Sequence, residues 1–121
     1  DGNNYNAMWM SNDGDGRLVL STKAGGVGLV VNSTLNADAG WMCMIGVVSA
    51  LANTVTLYKN GGVIGIPQVG MGAWAGALAA NQTVVGAYNN GAAFSWKGHG
   101  AHAALWSTAL TAPQVANLGI L

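Results

Sequence analysis

Thr54-Val55-Thr56-Leu57-Tyr58-Lys59-Asn60-Gly61-Gly62-Val63-Ile64 is the stretch on which the reading of this chain turns. Val55 and Leu57 alternate with Thr54, Thr56 and Tyr58, the period-two pattern of a strand with one face toward a core. Asn60 and Gly61 both tolerate positive φ, which a two-residue type I′ turn demands at each central position. Val63 and the residues after it then return as a second strand. A tight hairpin of this kind predicts antiparallel pairing.

Working outward, short apolar or alternating runs separated by turn residues dominate, the mark of an all-β sandwich or barrel. Strands are predicted over 5–10, 17–21, 27–32, 42–49, 54–59, 63–66, 83–87, 94–97 and 100–106. Asn12-Asp13-Gly14-Asp15-Gly16 supplies a turn between the first two, since its glycines accept positive φ and its aspartates cap their own backbone. Leu18 and Leu20 fall on one face with Val19 opposite, and Leu29 and Val31 repeat that parity after the turn over 23–28. The run 42–48 is apolar on both faces, as in a strand covered on both sides or lying centrally. It is the predicted buried centre.

The end of the chain changes character. Thr111 is placed as an N-cap, Gln114 three residues on as its capping-box partner, and Leu110 with Val115 as a hydrophobic staple. Pro113 fits the first turn, where N–H groups lack intrahelical partners anyway. Gly119 is expected to stop the helix. Two turns cannot stand alone, so Val115 and Leu118 are expected to dock on the sheet.

Composition narrows the function classes. The chain has 121 residues, enough for one domain, and only 7% are charged, with four Lys/Arg against four Asp. Without clustered Lys and Arg there is no footprint for nucleic acid or an anionic membrane. No apolar run approaches the roughly 20 residues needed to cross a bilayer as a helix. A neutral surface on a chain that is 51% hydrophobic removes colloidal repulsion and predicts a subunit of an assembly, a homo-oligomer among them. Cys43, the one cysteine, lies inside Trp41-Met42-Cys43-Met44-Ile45 and reads as a buried apolar side chain. Asp1 follows neither a start methionine nor a signal-like segment, so an excised domain or processed product is expected.

The hairpin at 55–62, the β pattern over 84–106 and the helix motif Trp106-Ser107-Thr108-Ala109-Leu110-Thr111-Ala112-Pro113-Gln114-Val115-Ala116-Asn117-Leu118 together resemble the laminin-G-like, or concanavalin-A-like, jelly-roll modules. The resemblance covers roughly residues 17–118. It implies an antiparallel β-sandwich with a short C-terminal helix, over 1–121 as a single domain, with one or two opening strands missing or supplied by another segment. An open sheet edge would then invite pairing with a neighbour. The chain departs from the family where His102, among Ala101, Ala103 and Ala104, stands in place of an acidic residue. No active site is therefore carried over.

Relatives with this sandwich include glycoside hydrolases, whose usual chemistry needs two positioned carboxyl groups. This chain contains no glutamate, and its aspartates lie in turns or at the terminus. An enzyme is not expected. His99 and His102, three apart on a predicted strand, would point to opposite faces and lack a third ligand nearby. Gly25, Gly26 and Gly28 mimic a dinucleotide fingerprint without the helix it requires.

Calcium is the cofactor the resemblance does imply, held at a sandwich rim by hard oxygen ligands. Asn12, Asp13 and Asp15 are the candidates. Ser11, Asp13, Asp15 and Gly16 mimic the start of a calcium loop, but Thr22 stands where a bidentate Glu would close it, so a plain turn is favoured. For a glycan, Trp74, Tyr88, Asn89, Asn90 and Trp96 offer stacking faces and amides, with Trp74 on the low-complexity stretch 70–80. That stretch is read either as an exposed apolar patch or as a lid folded onto its own domain. Asn32 with Thr34 and Asn81 with Thr83 form glycosylation sequons. The expected function is a non-catalytic structural or adhesion module in an extracellular or virion-surface assembly, such as a phage decoration or tail protein or a bacterial surface protein. The alternative is a carbohydrate-binding module, and a hydrolase is the remote third.

Overall fold

The computed structural model describes residues 4–10, 16–37, 39–74, 76, 85 and 99–120. Among these, the strands are β1 (Tyr5–Met10), β2 (Arg17–Ala24), β3 (Val27–Asn36), β4 (Met44–Ser49), β5 (Thr54–Lys59) and β6 (Gly62–Val69), followed by helix α1 (Ala112–Leu118). They form two antiparallel three-stranded sheets, β1-β2-β3 and β4-β5-β6, each a simple meander. The described protein is all-β apart from one short helix.

Both inner hairpins turn on the residues the sequence singles out. Asn60 and Gly61 have φ of 49° and 80°, and Gly25 and Gly26 have 55° and 86°. Positive φ at both central positions gives the turn the twist of its flanking strands. The predicted strands at 17–21, 27–32 and 63–66 each run longer than expected, to Ala24, Asn36 and Val69.

A shared core holds the sheets together. Leu18 and Leu20 of β2 and Val31 of β3 meet Val55 and Leu57 of β5 and Ile64 of β6, with Leu29, Met44 and Val48 packed around them. Each such side chain removed from water stabilises by about 1.5–3 kcal/mol, so this sandwich-like interface is the main source of cohesion. Val19 does lie opposite Leu18 and Leu20, yet it is buried too. At Leu18 the register with β3 shifts. Leu18 N–H donates instead to Ser33 Oγ at 2.9 Å, and that hydroxyl donates in turn to the Leu35 carbonyl. A buried serine thus satisfies the backbone group released by the irregularity.

β4 corrects one expectation and explains its source. Among the described strands it stands at the edge of its sheet rather than at the centre, and β2 and β5 are central. Its two apolar faces are both used nonetheless. Met44 and Val48 pack on the main core, with Gly46 between them beneath Leu20, while Ile45 and Val47 join a second cluster with Tyr58, Cys43, Leu110 and Val115. Helix α1 supplies that second cover.

Helix α1 is capped as its residues predict. Thr111 N–H donates to Gln114 Oε1 at 2.8 Å and Thr111 Oγ1 donates to the same oxygen at 2.9 Å. Val115 is fully buried with Leu110 beside it, but Leu118 remains half exposed and does not dock as expected. Gly119 ends the helix for an unexpected reason. Its φ is −83°, which any residue can adopt. Steric room is what excludes a side chain, since a Cβ there would overlap the backbone of Gly61, whose own Cβ position lies 3.1 Å from Ala116 Cα. Helix end and hairpin turn meet backbone to backbone.

β6 bends at Gly65, where the register with β5 jumps so that Ile64 faces Leu57 and Gln68 faces Val55. Gly65 has φ of 75° and lies against the Asn32 carbonyl of β3, a place no Cβ could occupy. Here the two sheets approach each other backbone to backbone. Residues 100–106, expected as a strand, pair with none of the described strands and are exposed. Three alanines give that segment poor strand preference and little apolar area to bury. The strands expected at 83–87 and 94–97 lie outside the described residues, save Val85, which stands in a bend.

Candidate functional site

Strand directions bring functional candidates together at the two ends of the sheets. At one end lie the β2–β3 turn, the β4–β5 turn over 50–53 and the segment 70–74. Asn53, at φ 53°, ties two of them: its carbonyl accepts Gly70 N–H at 3.3 Å and its Oδ1 accepts Met71 N–H at 2.7 Å. Ser49 Oγ accepts Ala52 N–H at 3.1 Å, fixing the same turn. Gly72 then lies against the Ala24 carbonyl, and the Ala73 carbonyl sits 2.6 Å from where a Cβ on Gly25 would be. The segment is thereby anchored to both sheets.

That anchoring presents Trp74. Trp74 is 38% exposed and its Nε1 donates to the Gly76 carbonyl at 3.0 Å, while Met71 packs against the main core. Of the stretch 70–80, Met71 folds inward and Trp74 is partly exposed, while residues 75 and 77–80 lie outside the described residues. Leu51 stands at the same end on the β4–β5 turn, fully exposed. Of the residues proposed to meet a glycan, Trp74 is described; Tyr88, Asn89, Asn90 and Trp96 lie outside the described residues.

Asn12, Asp13 and Asp15, the calcium candidates, also lie outside the described residues. Thr22 is described, and its position bears on the loop it was compared with. It is a buried mid-strand residue of β2 whose Oγ1 donates to Asn6 Oδ1 at 2.5 Å. Thr22 is thus held inside the β1–β2 pair, across from Asn6.

At the opposite end, Arg17, Ser33, Thr34 and Asn36 line an open, shallow polar depression of about 440 Å³. Register creates it, by placing Arg17 across from Asn36. Lys59 Nζ donates to the Asn36 carbonyl from the other sheet at 3.0 Å. No sequence spacing links residues 17, 36 and 59, so this grouping was not legible before the strands were paired. Asn32, of the first sequon, is exposed on β3 while Ser33 beside it is buried.

His99 and His102 are both exposed and lie on no strand, so the opposite-face argument does not apply to them. Among the described residues, no three His, Cys, Asp or Glu side chains gather as a metal set. Cys43 packs on the Ile45–Tyr58–Val115 cluster as an apolar side chain, but it is only half-buried and stands just before β4 rather than within a strand. Its backbone is held on both sides by Asn60: Cys43 N–H donates to Asn60 Oδ1 at 2.8 Å, and Asn60 N–H donates to the Cys43 carbonyl at 2.9 Å. Among the described residues no helix is long and apolar enough to cross a membrane.

What the geometry defines is a two-sheet β protein with an anchored, half-exposed tryptophan at one end and a polar depression at the other. No protein-family model, curated protein or solved structure matches the chain.

Proposed function

We propose that this chain is a non-catalytic, laminin-G-like jelly-roll module that acts by surface contact within a larger extracellular or virion-surface assembly. The observation that carries the reading is large apolar side chain left on a nearly uncharged surface. Leu51, Ile66, Val69 and Leu105 are each more than two-thirds exposed. Large apolar side chains left exposed on so uncharged a surface favour contact with another molecule. The chain's lack of glutamate argues against the paired-carboxyl chemistry of hydrolytic relatives of the sandwich. A phage decoration or tail protein, or a bacterial surface protein, is the setting this reading favours.

Sedimentation of the purified chain over a wide concentration range tests it. Reversible association is expected, weakened by Leu51→Asp or Ile66→Asp with the far-ultraviolet spectrum unchanged. A monomer at every concentration would reject the reading.

Trp74 supports a second reading, a carbohydrate-binding module. An exposed indole face on a braced segment is suited to stacking on a sugar ring. Glycan-array binding that disappears in Trp74→Ala is expected under this reading, and an empty array for the parent chain rejects it. Calcium, if held by Asn12, Asp13 and Asp15, would reveal itself as a thermal stabilisation reversed by chelator.

A further inference from the structure

Strand β1 is the outer strand of its sheet, with β2 on one side and none of the described strands on the other. Natural proteins blunt such edges with charge, proline, bulges or a covering element. β6 follows that practice, carrying Pro67 and the irregularity at Gly65, and β3 is covered there by β6 itself. Among the described residues, β1 has none of these devices. Tyr5-Asn6-Ala7-Met8-Trp9-Met10 contains no charge and no proline, and it pairs with β2 in unbroken register.

We propose that the edge of β1 pairs with β1 of a second copy, joining two sheets into one about a two-fold axis. This deepens the assembly reading and rests on it. The choice of occupant comes from the strand's own pattern. Residues directly opposite in an antiparallel pair share a face, and the axis must pass perpendicular to the sheet for both copies to keep the same face outward. Tyr5 and Trp9 point to the same face of β1, being four apart on a strand. A register centred on Ala7 therefore sets Tyr5 against Trp9 twice, Asn6 against Met8 twice, and Ala7 against its twin. Aromatic cross-strand pairs are among those that stabilise a sheet. An uncharged strand in a chain of zero formal net charge meets its own copy without like-charge repulsion.

Disulfide trapping tests the register in the full chain carrying Cys43→Ser. Ala7→Cys should cross-link to a dimer under mild oxidation, since opposed Cα atoms lie about 4.5–5.5 Å apart, within disulfide reach. Trp9→Cys should not cross-link to itself, its twin being about 13 Å away along the strands. A mixture of Tyr5→Cys and Trp9→Cys chains should yield the mixed dimer. Association by sedimentation without Ala7→Cys trapping would overturn the β1 edge and leave the assembly reading standing. Absence of both trapping and association would overturn the two together, and equal trapping at residues 7 and 9 would reduce the signal to random collision and overturn the register.

Discussion

Gly65 and Gly26 both adopt positive φ, but only one of them is hemmed in. Around Gly26 there is open space, whereas a Cβ on Gly65 would collide with the Asn32 carbonyl. Gly26→Ala should cost about 1–2 kcal/mol, the backbone penalty of a left-handed L-residue alone. Gly65→Ala should cost about 3 kcal/mol or more, because the overlap with the neighbouring sheet adds to that penalty. Urea unfolding of the two variants measures the difference. Equal losses would show that sheet separation at Gly65 adjusts freely. At Gly46 the obstacles are Met8 Sδ at 2.8 Å and Leu20 Cδ1 at 2.9 Å, flexible ends that can move aside. Gly46→Ala should therefore fall below Gly65→Ala.

Helix α1 rests on one side chain. Val115 is fully buried and Leu118 is about half exposed, so truncation to Ala should separate them. Val115→Ala should destabilise by about 2 kcal/mol as a core cavity opens, while Leu118→Ala should stay within about 0.5 kcal/mol as a surface change. The same Val115 variant should speed the reaction of Cys43 with a thiol reagent, because both belong to one cluster. Unchanged labelling would mean that the helix is not what shields the thiol.

The helix also shows how far residues alone carry the reading. Thr111, Gln114, Leu110 and Val115 were legible because capping and stapling are local, set by offsets of a few positions. Leu118 was misassigned because a two-turn helix offers several apolar positions, and only the docked angle decides which one is buried. Gly119 was legible as a stop but not as a contact, since Gly61 lies far away in sequence. β4 shows the same division: its two-faced apolarity was readable, its edge position was not. Arg17, Asn36 and Lys59 were beyond reach altogether, being joined by strand register across two sheets. Trp74 was a candidate on its residue type alone, while the bracing of its segment by Asn53 and the Gly25 turn required the fold.

For the molecule as a whole, charge is too sparse to organise association. With 7% charged residues and no formal net charge, moving from low to high sodium chloride should change the oligomeric state little. Sulfate should strengthen it, as excluded salts favour apolar burial, and sedimentation in the two salts gives the answer. Dissociation by sodium chloride would instead place ion pairs at the interface.

Each sheet is a contiguous stretch of chain, residues 5–36 for one and 44–69 for the other. Every described strand therefore pairs only with its sequence neighbours among them, and the entropy of closing long loops is not incurred until one meander meets the other. Folding should begin as two fast local events. The helix, whose Val115 must find Ile45 and Tyr58 from the far end of the chain, should join last. In hydrogen exchange its amides should open well before those of β2 and β5, making the helix an end that detaches while the two meanders stay packed.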